Sequence, residues 1–295
     1  MNEKLDFYSK TSIKSYNLNE SMRYQLGMLD SLDTFTRVHS ENVANITCRL
    51  CEYMKLDTSF IIYCTMCAYL HDIGKIFIPP SILQKQSALT DEEYEIMKTH
   101  TTIGYKMCMD DPKLRLYASG PIYHHEALDG SGYPRGLTKK DIPLEGQIIK
   151  VADEFDAIAS KRQYKSHIGV SDTLKLLLKE AHSGKLNKKA LKCLFKVIID
   201  DTNYEISCIF DYTKYLKSQI ERLNGIDSLN LKFQKSKSQS KKDYLYTSIK
   251  YMFEKGENLE NYKDILTEYK TALSKRKEII NNLFNEIKEI KKLRV

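Results

Sequence analysis

Residues that break helices are scarce in this sequence and are concentrated in one place. The chain of 295 residues contains 12 Gly and 6 Pro, and four of them fall in the seven residues GSGYPRG at 130–136. Lys, Glu and Leu, which favour helices, are abundant elsewhere. The sequence therefore predicts a mainly helical chain that is interrupted by an irregular loop.

Apolar residues recur at helical spacing on both sides of that loop. SENVANITCRLCEYMKL carries an apolar residue at every third or fourth position, and SFIIYCTMCAYL is apolar almost throughout. We find no segment whose alternation indicates a strand. We therefore predict an all-α fold, with helices in these two segments, in QIIKVADEFDAIAS, and over 171–182 and 187–199.

A helix start is visible near the middle of the first half. Thr90 is followed by three acidic residues that include Glu93, which gives the spacing of a capping box and places acids at the positive end of the helix dipole. We expect this helix to carry His100. We expect Pro112 to open the next helix, which ends near residues 124–125.

Seven cysteines raise the question of a zinc site. Cys48 and Cys51 form one C-x-x-C, and Cys64 and Cys67 form a second, an order that resembles a zinc ribbon. Both pairs have the i, i+3 spacing of one helix face inside apolar segments, and neither has the glycine-rich turn of a zinc knuckle. We predict reduced thiols that pack as small apolar side chains.

The net charge of +7 is unevenly distributed. From residue 225 onward 16 Lys and Arg face 10 Asp and Glu, a net +6, which leaves +1 for residues 1–224. Such runs are usually solvated faces, so the sequence argues against nucleic-acid binding. The N-terminus lacks an apolar leader and no stretch approaches about 18 apolar residues, which predicts no membrane span and a cytoplasmic location.

Histidine and aspartate residues occur in positions that suit metal binding. His71 and Asp72, and likewise His124 and His125, are adjacent at predicted helix ends, where both side chains can turn toward one site. Asp153 lies in the apolar stretch VADEFDAIA, where a buried carboxylate requires a cation. Imidazole with carboxylate suits Fe, Mn or Zn rather than Ca.

A ligand count indicates two metal ions. Five imidazoles, one carboxylate and one bridging carboxylate supply about eight of the roughly twelve bonds that two six-coordinate ions need. A bridging hydroxide and substrate phosphate oxygens would complete the set for in-line attack on a phosphodiester. The candidate ligands are His39, His71, Asp72, His100, His124, His125 and Asp153.

Two motifs give this set a family resemblance. HDIGK at 71–75 matches the H-D-x-G-K motif of the HD phosphohydrolase superfamily, and HHEALDGSGYP at 124–134 resembles the H-H-E-x-x-D-G-x-G-Y-P signature of its HD-GYP branch. VADEFDAIASKRQYK resembles the stretch that follows that signature. We therefore expect a short segment at 1–20, an HD-GYP helical bundle at 21–200 and a basic helical extension at 201–295.

The resemblance implies hydrolysis of cyclic di-GMP, or of cyclic GMP-AMP in some members, to the linear dinucleotide or on to GMP. It implies two divalent transition-metal ions, Fe or Mn, held by the seven candidate ligands. Asp72 and Lys75 would be the catalytic residues, because Lys75 matches the lysine that approaches the scissile phosphate. The implied substrate contacts are Lys75, Gly132, Tyr133, Pro134, Arg162 and Lys165.

The sequence departs from the family pattern at two places. Phe35 stands where members with a third metal usually carry Glu, which favours two ions. Lys185-Leu186-Asn187 replaces the usual Phe-Asp-Pro before the last helix of the domain, and Asn187 is a suitable helix cap. GSGYP would also fold as a plain tight turn, since Gly130 and Gly132 allow positive φ.

Other functions stay open at this stage. Nucleotidases and alarmone hydrolases share the HD superfamily, although the GYP signature argues against them. A catalytically weak nucleotide sensor that signals through its C-terminal helices is a second alternative. Silent members of the family typically lose ligands, and none of the seven is missing here.

The chain beyond Tyr204 is predicted to be an appendage. One helix would run to about Leu223, followed by a polar linker, NLKFQKSKSQSKK, and a long helix from about Asn261. That helix carries apolar residues at steps of three and four, a heptad seam interrupted at Arg276. We expect 261–293 to form a homodimer or bind a helical partner, the alternative being that the seam packs on the chain's own helices.

Overall fold

The computed structural model describes residue 27 and residues 34–160 and 169–293, so the predicted segment 1–20 lies outside it. The regular structure of the described residues is helical, with one isolated bridge between Asp129 and Thr138. This confirms the all-α prediction. The helices are α1 Thr34–Tyr53, α2 Thr58–Tyr69, α3 Pro80–Leu83, α4 Asp91–Lys98, α5 His100–Asp110, α6 Ser119–Tyr123, α7 Leu144–Ser160, α8 Val170–His182, α9 Lys188–Lys235, α10 Gln239–Met252 and α11 Tyr262–Lys292.

Side-chain caps set two of the predicted helix starts. The Thr90 side chain accepts a hydrogen bond from the Glu93 amide, and the Glu93 carboxylate accepts one from the Thr90 amide, which completes the predicted capping box of α4. The side chain of Asn187 accepts hydrogen bonds from the amides of Lys189 and Ala190 at 2.9 and 3.1 Å. Asn187 therefore caps α9, as its sequence position suggests.

The helix around His100 begins later than the sequence predicts. α4 ends at Lys98, and His100 is the first residue of α5 rather than part of the capped helix. The Thr99 hydroxyl donates a hydrogen bond to the Ile96 carbonyl at 2.6 Å. This local bond competes with the helical ladder and marks the end of α4.

The predicted helix at Pro112 is also wrong. The Asp111 carboxylate accepts a hydrogen bond from the Lys113 amide at 2.8 Å, which closes a turn. A short 3₁₀ helix, Arg115–Tyr117, follows, and α6 begins only at Ser119. As predicted, α6 ends just before His124.

The described chain forms two compact units. The first contains the residues up to Ile199 together with those from Glu289 onward, and the second spans Asp200–Lys288. In the first unit, α1 packs against α2 and α7, while α5 packs against α6 and against the 3₁₀ helix Ile73–Phe77. This packing brings the end of α2, the start of α5 and the end of α6 close together.

One described stretch, Thr58–Phe77, is long and apolar enough to cross a membrane by length and composition. Most of it, 67%, is buried inside the protein. It comprises α2 and the 3₁₀ helix that follows, and its side chains contribute to the hydrophobic core of the first unit. Burial in that core accounts for its composition.

The two C-x-x-C pairs lie in the same core. Cys48, Cys51, Cys64 and Cys67 are fully buried and are present as reduced thiols. They pack among the apolar side chains of α1 and α2. This is the environment predicted for cysteines that act as small apolar residues.

The predicted polar linker of the second unit is helical except for a break at 236–238. α9 continues without a break to Lys235, and α10 begins at Gln239. Phe233, inside the predicted linker, packs on a buried cluster and lies 6.3 Å from the Tyr246 ring. One aromatic residue anchors this segment although its sequence shows no apolar periodicity.

The heptad seam of α11 packs against α9 within the second unit. Arg276, which interrupts the seam, lies with its guanidinium carbon 5.5 Å from the centre of the Tyr212 ring, a cation–π contact. The alternative packing considered from the sequence is therefore present, and dimerisation stays a prediction. One buried cluster contains Leu223 and Leu266, and another contains Ile206, Ile280 and Ile287.

Candidate metal centre

The seven predicted ligands lie together in the first unit, although they come from five helices. Adjacent residues inside a helix point to different faces, but residues just beyond a helix end do not have this restriction, so two adjacent ligands can face one site. His39 lies in the second turn of α1, and Asp153 lies in the middle of α7. His71 and Asp72 follow α2, His100 begins α5, and His124 and His125 follow α6.

Their ligand atoms form two groups. Within each group all the atoms lie within 4.8 Å of one another, close enough to share one cation. Every member is buried except His125, which is partly exposed. The first group is His39, His71 and Asp153, and the second is Asp72, His100, His124 and His125.

Asp72 lies between the two groups. Its Oδ2 is 3.3 Å from His71 Nε2 and 3.7 Å from His39 Nε2. Its Oδ1 is 3.4 Å from His100 Nε2 and 3.8 Å from His124 Nε2. Each carboxylate oxygen thus faces a different group, which is the position that a carboxylate needs to bridge two cations.

Backbone carbonyls fix the orientation of three imidazoles. His71, His100 and His124 each donate a hydrogen bond from Nδ1 to the carbonyl three residues earlier, at 2.7, 2.6 and 2.9 Å. A carbonyl only accepts, so Nδ1 carries the proton and Nε2 keeps its lone pair. The three lone pairs are directed into the centre.

His39 is held by a carboxylate that the sequence reasoning missed. Its Nδ1 donates a hydrogen bond to Asp156 Oδ2 at 2.7 Å, and its Nε2 lies 3.0 Å from Asp153 Oδ1. Asp156 follows Asp153 by three residues in α7, so both carboxylates share one helix face. That spacing in VADEFDAIA was the available signal. A carboxylate behind a ligand imidazole orients the ring and raises its basicity.

The protonation of the centre suits cation binding. Burial lowers the pKa of His100 to about 4 and that of His125 to about 3, and it also lowers the pKa of His124. Burial alone would raise the pKa of Asp72, but His71 and Lys75 hold it well below its usual range. Neutral imidazoles facing an ionised carboxylate are the donor state that metal ions require.

His39 differs from the other imidazoles. Burial lowers its pKa, but hydrogen bonds with Asp153 and Asp156 outweigh this effect and raise the pKa to about 10. Here a proton supplies the positive charge that balances the two carboxylates. A cation at the Asp153 side would take the place of that proton on Nε2.

Two buried atoms at the heart of the centre lack a hydrogen-bond partner. They are His71 Nε2 and Asp72 Oδ1, on side chains that are 0% and 1% exposed. An unsatisfied buried acceptor costs free energy unless another group supplies the positive charge. Because both atoms are metal-ligand types, the donor set fits divalent transition-metal ions.

The HDIGK motif holds the Asp72 carboxylate and also lets helix α5 approach it. Lys75 Nζ donates a hydrogen bond to Asp72 Oδ2 at 2.6 Å. Gly74 permits the close approach of α5, because a Cβ there would lie 2.0 Å from the His100 carbonyl oxygen and 2.6 Å from the Gly104 nitrogen. Glycine in this motif therefore sets the distance between Asp72 and His100.

The loop after His125 is fastened to a buried carboxylate that the sequence reasoning also missed. Glu126 is 1% exposed. Its two oxygens accept hydrogen bonds from the amides of Arg135 and Leu137, both at 2.8 Å. Tyr133 in turn donates its amide hydrogen to the His125 carbonyl at 3.2 Å. The H-H-E motif thus combines two candidate ligands with the residue that holds the loop.

The glycines of this loop have two different roles. Gly130 and Gly136 adopt positive φ, at 85° and 62°, whereas Gly132, which the sequence also allows to do so, does not. Gly132 is needed for space, since a Cβ there would lie 2.2 Å from the Ala127 nitrogen and 2.5 Å from the His125 carbonyl oxygen. Turn geometry therefore calls for glycine at position 130, and close packing calls for it at position 132.

The implied substrate contacts of the loop after His125 adjoin the centre. The Tyr133 ring stacks on His125, with centroids 4.6 Å apart and an interplanar angle of 27°. Gly132 and Pro134 flank it in the same partly buried loop. Arg162 and Lys165, and the side chain of Phe35, lie outside the described residues.

The fold and this centre define a class of protein. A sequence profile of the HD domain family matches residues 23–189, which is more than half of the chain. The chain therefore belongs to the HD domain family.

Within this family, the chain is similar in sequence to several curated phosphodiesterases. A cyclic di-GMP phosphodiesterase of Thermotoga maritima is 40% identical over 193 residues, which cover 63% of this chain and 52% of the relative. The cyclic di-GMP phosphodiesterase PdeB of Borreliella burgdorferi is 34% identical over 194 residues, which cover 65% of this chain and 49% of the relative. A 3'3'-cGAMP-specific phosphodiesterase of Vibrio cholerae is 30% identical over 185 residues, which cover 61% of this chain and 41% of the relative.

These relatives confirm the predicted resemblance to the HD-GYP family. The chain spans about half the length of the first two relatives. The matched region includes the HDIGK and HHEALDGSGYP motifs at 71–75 and 124–134.

Proposed function

We propose that this chain is a metal-dependent phosphodiesterase that hydrolyses a cyclic dinucleotide, with cyclic di-GMP as the expected substrate. The observation that carries the proposal is the pair of ligand groups with Asp72 between them. The names of two curated relatives support the substrate.

Two divalent transition-metal ions, Fe or Mn, are the proposed cofactors. When bound, such a pair activates a water molecule and neutralises charge on the phosphoryl group. His39, His71 and Asp153 would hold one ion, His100, His124 and His125 would hold the other, and Asp72 would be shared.

The chain's own residues would bind and orient the substrate. Lys75 is the proposed contact to the scissile phosphate, and its ammonium group already lies at the centre through Asp72. The loop that contains Tyr133 would border the nucleotide, since it is fixed against His125. Arg162 and Lys165 are proposed contacts to the phosphates from their sequence position alone.

Cyclic GMP-AMP is a second candidate substrate, because one relative carries that specificity in its name. Both nucleotides contain two phosphodiester bonds, so the same centre could act on either. The two nucleotides differ in one nucleobase and share the phosphodiester groups on which a metal centre acts. The choice between them must depend on residues at the rim.

Turnover by the full-length protein tests the proposed function. We would purify the protein without oxygen, load it with Fe(II) or Mn(II), and follow cyclic di-GMP and cyclic GMP-AMP by chromatography. The proposal predicts a linear dinucleotide or GMP as product. Tight binding without hydrolysis would show that the protein is a nucleotide sensor and not an enzyme. Neither binding nor hydrolysis of these nucleotides would contradict the proposal.

For residues 261–293 we further propose self-association or binding to a helical partner. Because α11 buries its seam against α9, self-association would require the seam to exchange partners between two copies. Light scattering of the full-length protein tests this. If the protein is a monomer at micromolar concentration, the proposed homodimer is wrong.

A further inference from the structure

A continuous row of aromatic rings leads from the metal centre to the protein surface. The His100 and His125 rings have centroids 5.1 Å apart, and the Tyr133 ring stacks on His125 at 4.6 Å. The Tyr94 ring follows at 6.4 Å from Tyr133, nearly perpendicular at 79°. His100 is 1% exposed and Tyr94 is 47% exposed, so the row spans the distance from the buried centre to solvent.

A lysine charge sits at the outer end of this row. Lys98 Nζ lies 5.3 Å from the centre of the Tyr94 ring and 5.7 Å from that of Tyr133. It is also paired with Glu95. One ammonium group therefore contacts both rings, which fixes the two tyrosines relative to each other by cation–π attraction.

Helix α4 holds Tyr94 and Lys98 in place. Its first turn is closed by the Thr90–Glu93 capping box, and Lys85 forms an ion pair with Glu93. Tyr94 and Lys98 are four residues apart in this helix, so they share one face. The surface is thus a preformed one, built on a helix rather than on a free loop.

We propose that Tyr94 stacks on one nucleobase of the bound dinucleotide and that Lys98 faces its phosphate or carbonyl oxygens. This rests on the proposed function and adds a nucleobase subsite to it. An exposed aromatic ring next to a basic side chain is the surface that bases and phosphates of nucleotides bind. Tyr133 has one face covered by His125, so Tyr94 is the ring of the row that is open to solvent.

The subsite is specific to substrates that carry a base. Tyr94 belongs to neither ligand group and reaches His125 only through Tyr133, so we expect its removal to leave metal content unchanged. Loss of one stacked base weakens binding by about tenfold, equivalent to about 1.4 kcal/mol. The effect belongs in KM for the dinucleotide rather than in kcat.

Steady-state kinetics of full-length, metal-loaded variants test this. We compare Tyr94→Ala with Tyr94→Phe, and with Ile96→Ala as a matched control, because Ile96 is 42% exposed on the same helix. The substrates are cyclic di-GMP and bis(p-nitrophenyl) phosphate, a diester with no nucleobase. We expect Tyr94→Ala to raise KM for cyclic di-GMP about tenfold, with turnover of bis(p-nitrophenyl) phosphate unchanged. Tyr94→Phe and Ile96→Ala should match the wild type.

The outcomes separate this inference from the function on which it rests. An active wild type whose KM is unchanged in Tyr94→Ala overturns the subsite alone. Equal losses on both substrates also overturn it, because they show that Tyr94 only supports the loop. A wild type that neither binds nor hydrolyses cyclic dinucleotides overturns the proposed function and the subsite together. Lys98→Gln should raise KM by a smaller factor that shrinks as salt is added.

Discussion

The two units of this protein bury different kinds of side chain. The interior of the first contains imidazoles and carboxylates, including His71, Asp72 and Asp153. Among the described residues of the second, the buried polar side chains are Thr202, Thr213 and Gln219, none of which carries a charge. Buried charges cost free energy without a partner, so their concentration in the first unit indicates that it binds a cation. The second unit is held by apolar clusters, and its half-buried ion pair, Arg222 with Glu257, is complete within itself.

The difference between the two units shows which residue patterns indicate a functional site and which indicate only packing. Both units contain apolar residues at helical spacing, and that pattern indicates only that helices pack together. The first unit adds ionisable residues inside apolar segments, where packing alone gives no reason for them. The predictions below change one kind of residue at a time.

Asp72→Ala should have the largest effect. It removes the carboxylate whose two oxygens face different ligand groups, so we expect loss of both metal ions and of activity. Lys75→Ala should retain metal and lose about 10²- to 10³-fold in kcat, because it removes a single charge near the substrate. Elemental analysis and kinetics measure both. If Asp72→Ala kept its metal and was as active as Lys75→Ala, Asp72 would not be the ligand that the two ions share.

Asp156→Ala should weaken metal binding by about 10- to 100-fold, since the carboxylate orients His39. Asp156→Asn is the matched control, because its amide oxygen can still accept the hydrogen bond from His39. Competition with a chelator measures the affinity. If both variants bind metal as the wild type does, Asp156 does not support the ligand.

Glu126→Gln should raise KM for the dinucleotide while metal content stays the same. An amide has one acceptor oxygen, so one of the two backbone hydrogen bonds from Arg135 and Leu137 is lost and the loop is less firmly held. Asp129→Asn, in the same loop but exposed, is the control. A fall in metal content in Glu126→Gln would assign this residue to the centre itself.

Ile280→Ala should leave metal content and kcat unchanged while it lowers the stability of the second unit. Ile280 is 6% exposed in a cluster with Ile206 and Ile287, and such truncations cost about 2–5 kcal/mol. Urea denaturation followed by circular dichroism measures the loss. A parallel loss of metal would show that the second unit supports the centre.

The sequence indicates which residues cluster at the centre because most of them lie in local motifs. HDIGK and HHEALDGSGYP place four ligands within two short segments, and adjacent positions at helix ends leave few alternatives. Asp153 was recognisable because a carboxylate in an apolar helix is costly. The capping residues Thr90 and Asn187 were visible for a similar reason, since a helix start depends on neighbouring residues.

The supporting residues could not be predicted, because their partners are distant in the chain. Asp156 binds a ring 117 residues away, and its spacing from Asp153 shows that the two share a helix face but not which residue Asp156 contacts. The extension of α9 into the predicted linker as far as Lys235 accompanies the packing of Phe233 on a buried cluster, which the polar composition of that segment conceals. The Tyr94 contact with Tyr133 likewise joins two segments that only the fold brings together.

The most direct test of the central claim is the number of metal ions in the full-length protein. Elemental analysis of protein purified without oxygen should give close to two divalent transition-metal ions per chain, the number that the two ligand groups with a shared Asp72 can hold. Three tightly bound ions in active protein, or activity with none, would contradict a centre built for two.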